Sequence, residues 1–188
     1  MNSEQDIELV VLVDDDNNVI GTANKREVHH SQTPLHRGFS VFIFDHNGRM
    51  LLQQRAFSKQ TWPGVWSNSC CGHPAPGESV EAAAARRLEF ELGLSGIGLT
   101  CVLPDFRYRA EKDGVVENEI CPVLIGFTDR EANPNPAEVA TVRWTDWSEL
   151  VESLTGSGLS PWAIGEIREL LKSDVFAREF ADRVRRHN

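Results

Sequence analysis

The densest run of chemically capable side chains in this sequence is Cys70 to Leu94, CCGHPAPGESVEAAAARRLEFELGL. Cys71 and His73 flank a glycine just before a Pro/Gly loop, so a thiol and an imidazole meet at one place, and both can carry protons. Downstream, Arg87 and Glu91 stand one helical turn apart in an alanine-rich stretch. They lie close to its apolar stripe, where an amphipathic pattern alone requires no charge. A guanidinium there suits bidentate pairing with a phosphate, and a carboxylate suits a hard divalent cation.

A second set of donors is spread along the chain. His29, His36, His73, Glu117 and Glu119 are its candidate metal ligands. Glu117 and Glu119 sit two apart in a β-type run and so point the same way. Imidazole nitrogens with carboxylate oxygens suit Zn²⁺, Mn²⁺ or Fe²⁺, and more than four ligands favour an octahedral ion. Spacing alone does not bring the three histidines together.

These side chains need a scaffold to converge. Residues 7–13 and 19–22, β-branched and alternating, read as a hairpin around DDDNN. Pro34 argues against a continuous helix over 25–34. Residues 39–44 read as a strand buried on both faces, DHNG as a turn and 50–54 as the returning strand. A loop with Trp62, Pro63, Gly64 and Trp66 leads to a short strand at 69–72, which sends Cys70 and Cys71 to opposite faces. The helix after it has Ser79 as N-cap and Gly93 at its end; Val80, Ala84 and Leu88, with Ala83 and Leu92, form its buried stripe. Two more strands are expected at 102–108 and 115–127, with Pro122 marking an edge or a bulge. A connector, NPNPA, precedes a strand at 141–144 and a short helix at 148–154. Ser160-Pro161 then opens a C-terminal helix with Ile164, Ile167 and Leu171 as its stripe. The pattern is α+β, a mixed β-sheet with helices packed against it.

Composition narrows the function classes. A chain of 188 residues with 40% hydrophobic and 25% charged content suits one ordinary soluble domain with extensions. A net charge of −9 removes bulk attraction for nucleic acid, though not for an anionic substrate in a locally basic pocket. No apolar run approaches the ~20 residues of a membrane span. MNSEQDIELV has neither the basic start nor the apolar core of a secretory signal, so cytoplasm is the expected location, with no membrane partner. Cysteines at 70, 71, 101 and 121 offer no CxxC pair. Reduced thiols are therefore expected.

The loop and helix also fit a known frame. Gly72, Glu78, Arg86, Glu91, Gly93 and Leu94 fall at the spacing of the Nudix box, G-x5-E-x7-R-E-U-x-E-E-x-G-U with U aliphatic. Arg87 and Phe90 stand where that box has glutamates. Glu91 is left as the metal carboxylate, which argues against a pyrophosphohydrolase that needs several Mg²⁺ ions. The runs KREVHHSQTPLHRGFS, RAFSKQTWPGVWSNSCCGHP, PDFRYRA and VENEICPV closely resemble the type I isopentenyl diphosphate isomerases, a Nudix-fold branch. The likeness extends from about Lys25 to Trp162, and the same two departures from the box mark that branch.

The resemblance implies a Nudix-type mixed β-sheet sandwiched between helices, with extra N-terminal strands and a C-terminal helix. Within one domain it implies an N-terminal hairpin and metal-ligand segment (1–37), a Nudix-like core (38–155) and a C-terminal helical extension (156–188). The implied reaction interconverts isopentenyl diphosphate and dimethylallyl diphosphate, by protonation and deprotonation through a tertiary carbocation, in isoprenoid biosynthesis. Cys71 and Glu119 would be its acid/base groups, Tyr108 would hydrogen-bond near Glu119, and Trp162 would cover the reacting carbons. His29, His36, His73, Glu117 and Glu119 would bind one divalent transition metal, Mn²⁺ or Zn²⁺. Glu91 and the backbone carbonyl of Cys71 would hold Mg²⁺ against the substrate diphosphate, which Lys25, Arg55, Lys59 and Arg87 would contact. An isoprenoid diphosphate is then the small-molecule partner, with monomer and homodimer both open. A non-catalytic module that uses the same His/Glu cluster structurally is the alternative from a different class.

Overall fold

The structure is a computed structural model that describes residues 8–184. Ile7, expected at the start of the hairpin, and the end of the basic tail lie outside them. The hairpin forms from β1 (Leu9–Val13) and β2 (Val19–Asn24). A single helical turn, α1 (Lys25–Val28), follows with Asn24 as its cap, and the chain leaves helix well before Pro34. Then come β3 (His36–Arg37), β4 (Phe39–Phe44), β5 (Arg49–Arg55), β6 (Trp66–Ser67) and β7 (Cys70–Gly72). Helix α2 (Val80–Leu92) precedes β8 (Leu99–Leu103), β9 (Arg107–Lys112), β10 (Val115–Ile120), β11 (Val123–Phe127) and β12 (Val139–Asp146). Three helices close the chain: α3 (Trp147–Glu152), α4 (Pro161–Leu170) and α5 (Asp174–Arg183).

The strands divide into two sheets, ordered β2-β1-β3-β10-β9 and β12-β5-β4-β11-β8, with β6 beside β5 and β7 beside β4. The strands expected at 102–108 and 115–127 are each two strands, one in either sheet. Pro122 marks this crossing, and the expected irregularity follows it at once, as a register shift between Val123 and Leu124 in the β11–β8 ladder. The proline has no N–H to continue a ladder, and Cys121 N–H turns instead to Phe106 O at 2.8 Å. Pro104 interrupts the partner strand in the same way, between β8 and β9. The segment β3–β4 crosses at Gly38, whose N–H donates to Ile120 O at 2.9 Å. Three chain segments thus pass from sheet to sheet side by side. Residues just before or after each crossing face a common seam.

Helices cover both faces of the larger sheet. Phe39, Val41 and Ile43 pack with Ala83, Ala84, Leu88 and Leu92 of α2, as the sequence stripe requires. Phe42 and Phe44, which alternation points the other way, join Trp147, Trp162, Ile167, Leu170 and Phe176. Ser79 caps α2 by accepting from Ala82 N–H, and Gly93 closes it in the left-handed region at φ 65°. Arg86 binds Glu78 at 2.8 and 2.7 Å, so these two box positions clip the loop to the helix. Two helices stand where one C-terminal helix was expected. The second, α5, docks through Phe176 and Phe180, whose rings lie 5.8 and 5.2 Å from that of Phe44.

The stripe of α4 is also rotated from the expected one. Trp162, Ala163, Glu166, Ile167 and Leu170 are its buried residues, while Leu171 is 50% exposed. Ser160 caps the helix on Ala163 N–H and Pro161 opens it. Burying the large Trp162 in the first turn then fixes the rotation. Positions one and two turns on, Glu166 and Leu170, must face inward with it.

Candidate active site

The seam opens into a cavity of about 420 Å³. Every candidate side chain from the sequence lines it except His36, which lies fully buried beneath, within reach of its neighbours. Strand β10 supplies Glu117 and Glu119, both buried and, two apart, on one face. In register, Glu119 lies opposite His36 on β3 and Tyr108 on β9. Gly38 makes room for this: a Cβ there would fall 1.9 Å from Glu119 Oε2.

One ligand atom from each of His29, His36, His73 and Glu119 lies within 4.8 Å of the others. The Nε2 atoms of His36 and His73 are 3.2 Å apart, and that of His73 is 3.1 Å from Glu119 Oε1. Glu117 joins through His29, with Oε2 to Nε2 at 3.1 Å. Two of the outer nitrogens have their own partners: His36 Nδ1 is 2.9 Å from Pro34 O and His29 Nδ1 is 3.3 Å from Lys25 O, while His73 Nδ1 has no hydrogen bond among the described residues. Donation from Nδ1 to those carbonyls leaves the Nε2 lone pairs facing inward. Three converging imidazoles and a buried carboxylate fit a divalent cation. Burial opposes ionisation of Glu119, but hydrogen bonds and charge from His36 and His73 prevail and hold it well below the usual carboxylate range.

At the mouth, each expected phosphate contact but one already has a carboxylate partner. Lys25 Nζ donates to Glu8 at 2.7 Å and Lys59 Nζ to Glu138 at 2.6 Å. Arg87 donates to Glu91 at 2.5 and 3.0 Å and to Glu138 at 3.1 Å, with its guanidinium over the Phe90 ring. Arg55 instead donates to Thr61 O at 3.0 Å, holding the 56–64 loop. The two box departures therefore meet: Phe90 provides a face for the cation that replaces a glutamate.

At the floor the polar groups are buried and bonded to one another. Cys70 points to α2 and is fully buried, whereas Cys71 faces the cavity, as alternation requires. The Cys71 thiol donates to Asn68 Oδ1 at 3.1 Å, and Trp162 Nε1 donates to the same oxygen at 3.3 Å. Trp162 packs edge-on to Trp62 at 5.2 Å and lies 5.8 Å from the Tyr108 ring. Burial pushes the Cys71 thiol up to about 12, and burial with the Glu119 charge raises Tyr108 well above its ordinary value. Both side chains keep their protons at neutral pH.

Sequence reasoning missed several members. Glu138 lies just after NPNPA, which reads as a plain connector. Asn68 stands inside a quoted run, and the signal for it was an amide flanked by serines in a strand-poor loop next to the thiol. Among the described residues, no helix is long and apolar enough to cross a membrane.

Comparison with known proteins shows the family and the fold. The NUDIX domain family matches residues 34–162. The chain is 53% identical over 169 residues to the isopentenyl-diphosphate Delta-isomerase of Saccharopolyspora erythraea, covering 88% of this chain and 87% of that one. It is 51% identical over 162 residues to the protein of the same name from Mycolicibacterium vanbaalenii, with 85% and 90% covered. Among solved structures, DR0079 from Deinococcus radiodurans superposes with a TM-score of 0.69 at 16% identity, covering 86% of this chain and 98% of that one. The MutT protein from Methanosarcina mazei gives 0.60 at 20% identity, with 79% and 96% covered. These two share the fold. The chain carries a NUDIX domain and belongs to the isopentenyl-diphosphate Delta-isomerase family.

Proposed function

We propose that this chain interconverts isopentenyl diphosphate and dimethylallyl diphosphate, with Cys71 and Glu119 as its two proton-transfer groups. One observation carries the assignment of roles: a protonated thiol from one sheet and an ionised carboxylate from the other reach a single cavity whose mouth is cationic. A thiol that holds its proton can donate, and a carboxylate without one can accept.

The alkene is a weak base, and its protonation gives a tertiary carbocation that needs dry surroundings without a nucleophile. The rings of Trp162 and Tyr108 form such a wall, with Trp62 packed edge-on behind Trp162. An indole face stabilises a desolvated cation by ~2 kcal/mol, about thirtyfold in rate. At the mouth, Lys25, Lys59 and Arg87 would exchange their carboxylate partners for the diphosphate, and Arg55 would join them. His29, His36, His73, Glu117 and Glu119 would hold Mn²⁺ or Zn²⁺, and Glu91 with the Cys71 carbonyl would hold Mg²⁺. When bound, these ions orient Glu119 and neutralise diphosphate charge. Four free cysteines support a reducing, cytoplasmic setting.

Incubation with isopentenyl diphosphate and Mg²⁺ in D₂O, followed by NMR, tests the reading. Deuterium in the new methyl group, without phosphate release, is the expected result. Free phosphate as main product would overturn it.

A further inference from the structure

The thiol and the indole assigned to the reaction share one anchor. Asn68 is fully buried behind the floor, and the two ends of its amide have different partners. Its Nδ2 donates to Val41 O at 3.2 Å and to Cys70 O at 3.0 Å, the carbonyls of one residue pair in the β4–β7 ladder. Its Oδ1 accepts from Ser67 Oγ at 2.8 Å, Cys71 Sγ at 3.1 Å and Trp162 Nε1 at 3.3 Å. The amide fits only this way round. Turned over, it would set its oxygen against two carbonyl oxygens and its N–H groups against the indole, which only donates. The N–H end accounts for an asparagine as a plug for the ladder. It does not account for an oxygen that gathers donors from Cys71 and from Trp162, which is 94 residues away along the chain.

The segment around Asn68 is tied to the start of α4 at two further points. Ser160 N–H donates to Trp66 O at 2.8 Å. Ser67 Oγ lies 2.9 Å from Ser160 Oγ; because Ser67 gives its own proton to Asn68, Ser160 donates to Ser67. Ser160 also caps α4. The helix that carries Trp162 is therefore held by residues 66–68, a short step from Cys71. The relative placement of indole and thiol is set over a few bonds rather than across the whole fold.

A carbonyl oxygen has two lone pairs, and of the three donors that meet this one the S–H is the weakest. When the thiol turns its proton to the alkene, Ser67 and Trp162 still satisfy the oxygen. No buried acceptor is left bare, a cost that a partner bonded to the thiol alone would incur. We infer that Asn68 is a positioning residue for the isomerisation, holding the Cys71 sulfur and the Trp162 ring in mutual register while leaving the thiol proton free to transfer. In that transfer the S–H bond breaks with its electron pair left on sulfur, and a C–H bond forms at the terminal alkene carbon. Asn68 itself gains and loses no proton. Ser40 Oγ, 3.5 Å from the sulfur, can donate to it once the proton has left. The inference rests on the isomerase reading above.

The test is steady-state kinetics on isopentenyl diphosphate with three variants, each checked for folding by circular dichroism. Asn68→Leu keeps the bulk and removes both ends of the amide. Its kcat should drop about ten- to a hundredfold, the scale of a misplaced reacting group, with KM within about twofold because the mouth is untouched. Asn68→Asp keeps the acceptor oxygen but loses the N–H donors to β4 and β7. It should recover about tenfold of that loss, whereas an asparagine that only plugs the ladder would leave it no better than Asn68→Leu. Ser67→Ala leaves Asn68 in place and covers the case in which neither Asn68 variant folds. It removes a competing donor, so the thiol is released less readily and kcat should fall about two- to tenfold. A folded Asn68→Leu or Ser67→Ala with wild-type kcat, an Asn68→Asp no more active than Asn68→Leu, or a loss carried by KM instead of kcat would overturn the inference. Wild type that converts no isopentenyl diphosphate would instead sink the isomerase reading itself.

Discussion

The mouth and the floor of the cavity are built on opposite rules. At the mouth, charges are numerous and already satisfied: Lys25 with Glu8, Lys59 with Glu138, and Arg87 with both Glu91 and Glu138. At the floor, polar groups are buried and largely neutral, and the Glu166 carboxyl has no hydrogen bond among the described residues. A paired cation exchanges one anion for another at low cost, because it is never left bare in a low-dielectric site. That suits reversible capture of a diphosphate. A buried floor walled by the Trp162 and Tyr108 rings suits a carbocation, which any loosely held water would trap. The difference separates affinity from chemistry, and substitutions at the two ends should separate them too.

The largest effects belong at the floor. Cys71→Ala and Glu119→Gln should each lower kcat by about 10²–10⁴-fold while calorimetry still detects inorganic pyrophosphate binding. Near-normal turnover in either variant removes that residue from the mechanism. At the mouth, Arg87→Glu should raise KM roughly ten- to a hundredfold, the size of lost charge-assisted hydrogen bonds, with kcat changed far less. A matching fall in kcat would erase the division between the two ends.

Glu138→Gln acts in the opposite direction. It removes the carboxylate that Lys59 and Arg87 share, so KM should fall roughly two- to fivefold, the scale of a partly exposed ion pair. An increase would mean that Glu138 positions the cations rather than competing for them.

The last contrast is in stability. Glu166 has a raised pKa, about 8 against 4.5, so the folded state binds its proton more tightly than the unfolded state. Its contribution is fully present below about pH 4.5 and is lost as pH rises towards about 8. The slope is at most about 1.4 kcal/mol per pH unit. Urea unfolding of wild type and Glu166→Gln at pH 5.5 and 7.5 should show wild type losing more stability over that interval. Equal losses would mean that the carboxyl is not held protonated by the fold.

Much of the site was legible in local pattern. A two-residue period put Glu117 and Glu119 on one face and Cys70 and Cys71 on opposite faces, and both hold. Caps at Ser79 and Gly93 bounded α2 correctly. These features depend on residues a turn or a pleat apart, which chain geometry fixes without long-range contacts. The strand boundaries at 102–108 and 115–127 failed because a prolyl break reads alike whether the chain bulges or changes sheets.

Sequence by itself determined the chemical inventory: a thiol, three imidazoles, two same-facing glutamates, a cation in place of a box carboxylate, and the motifs that identified the family. Tertiary structure alone decided which of them meet. Three chain segments crossing between sheets brought His36 opposite Glu119, a connector folded back to put Glu138 on Lys59 and Arg87, and the burial of Trp162 turned Glu166 into the core. Residue types and short periods are written in the order of the chain. The rotation of a helix and the point where a strand leaves one sheet for another are set by competition for burial among distant segments.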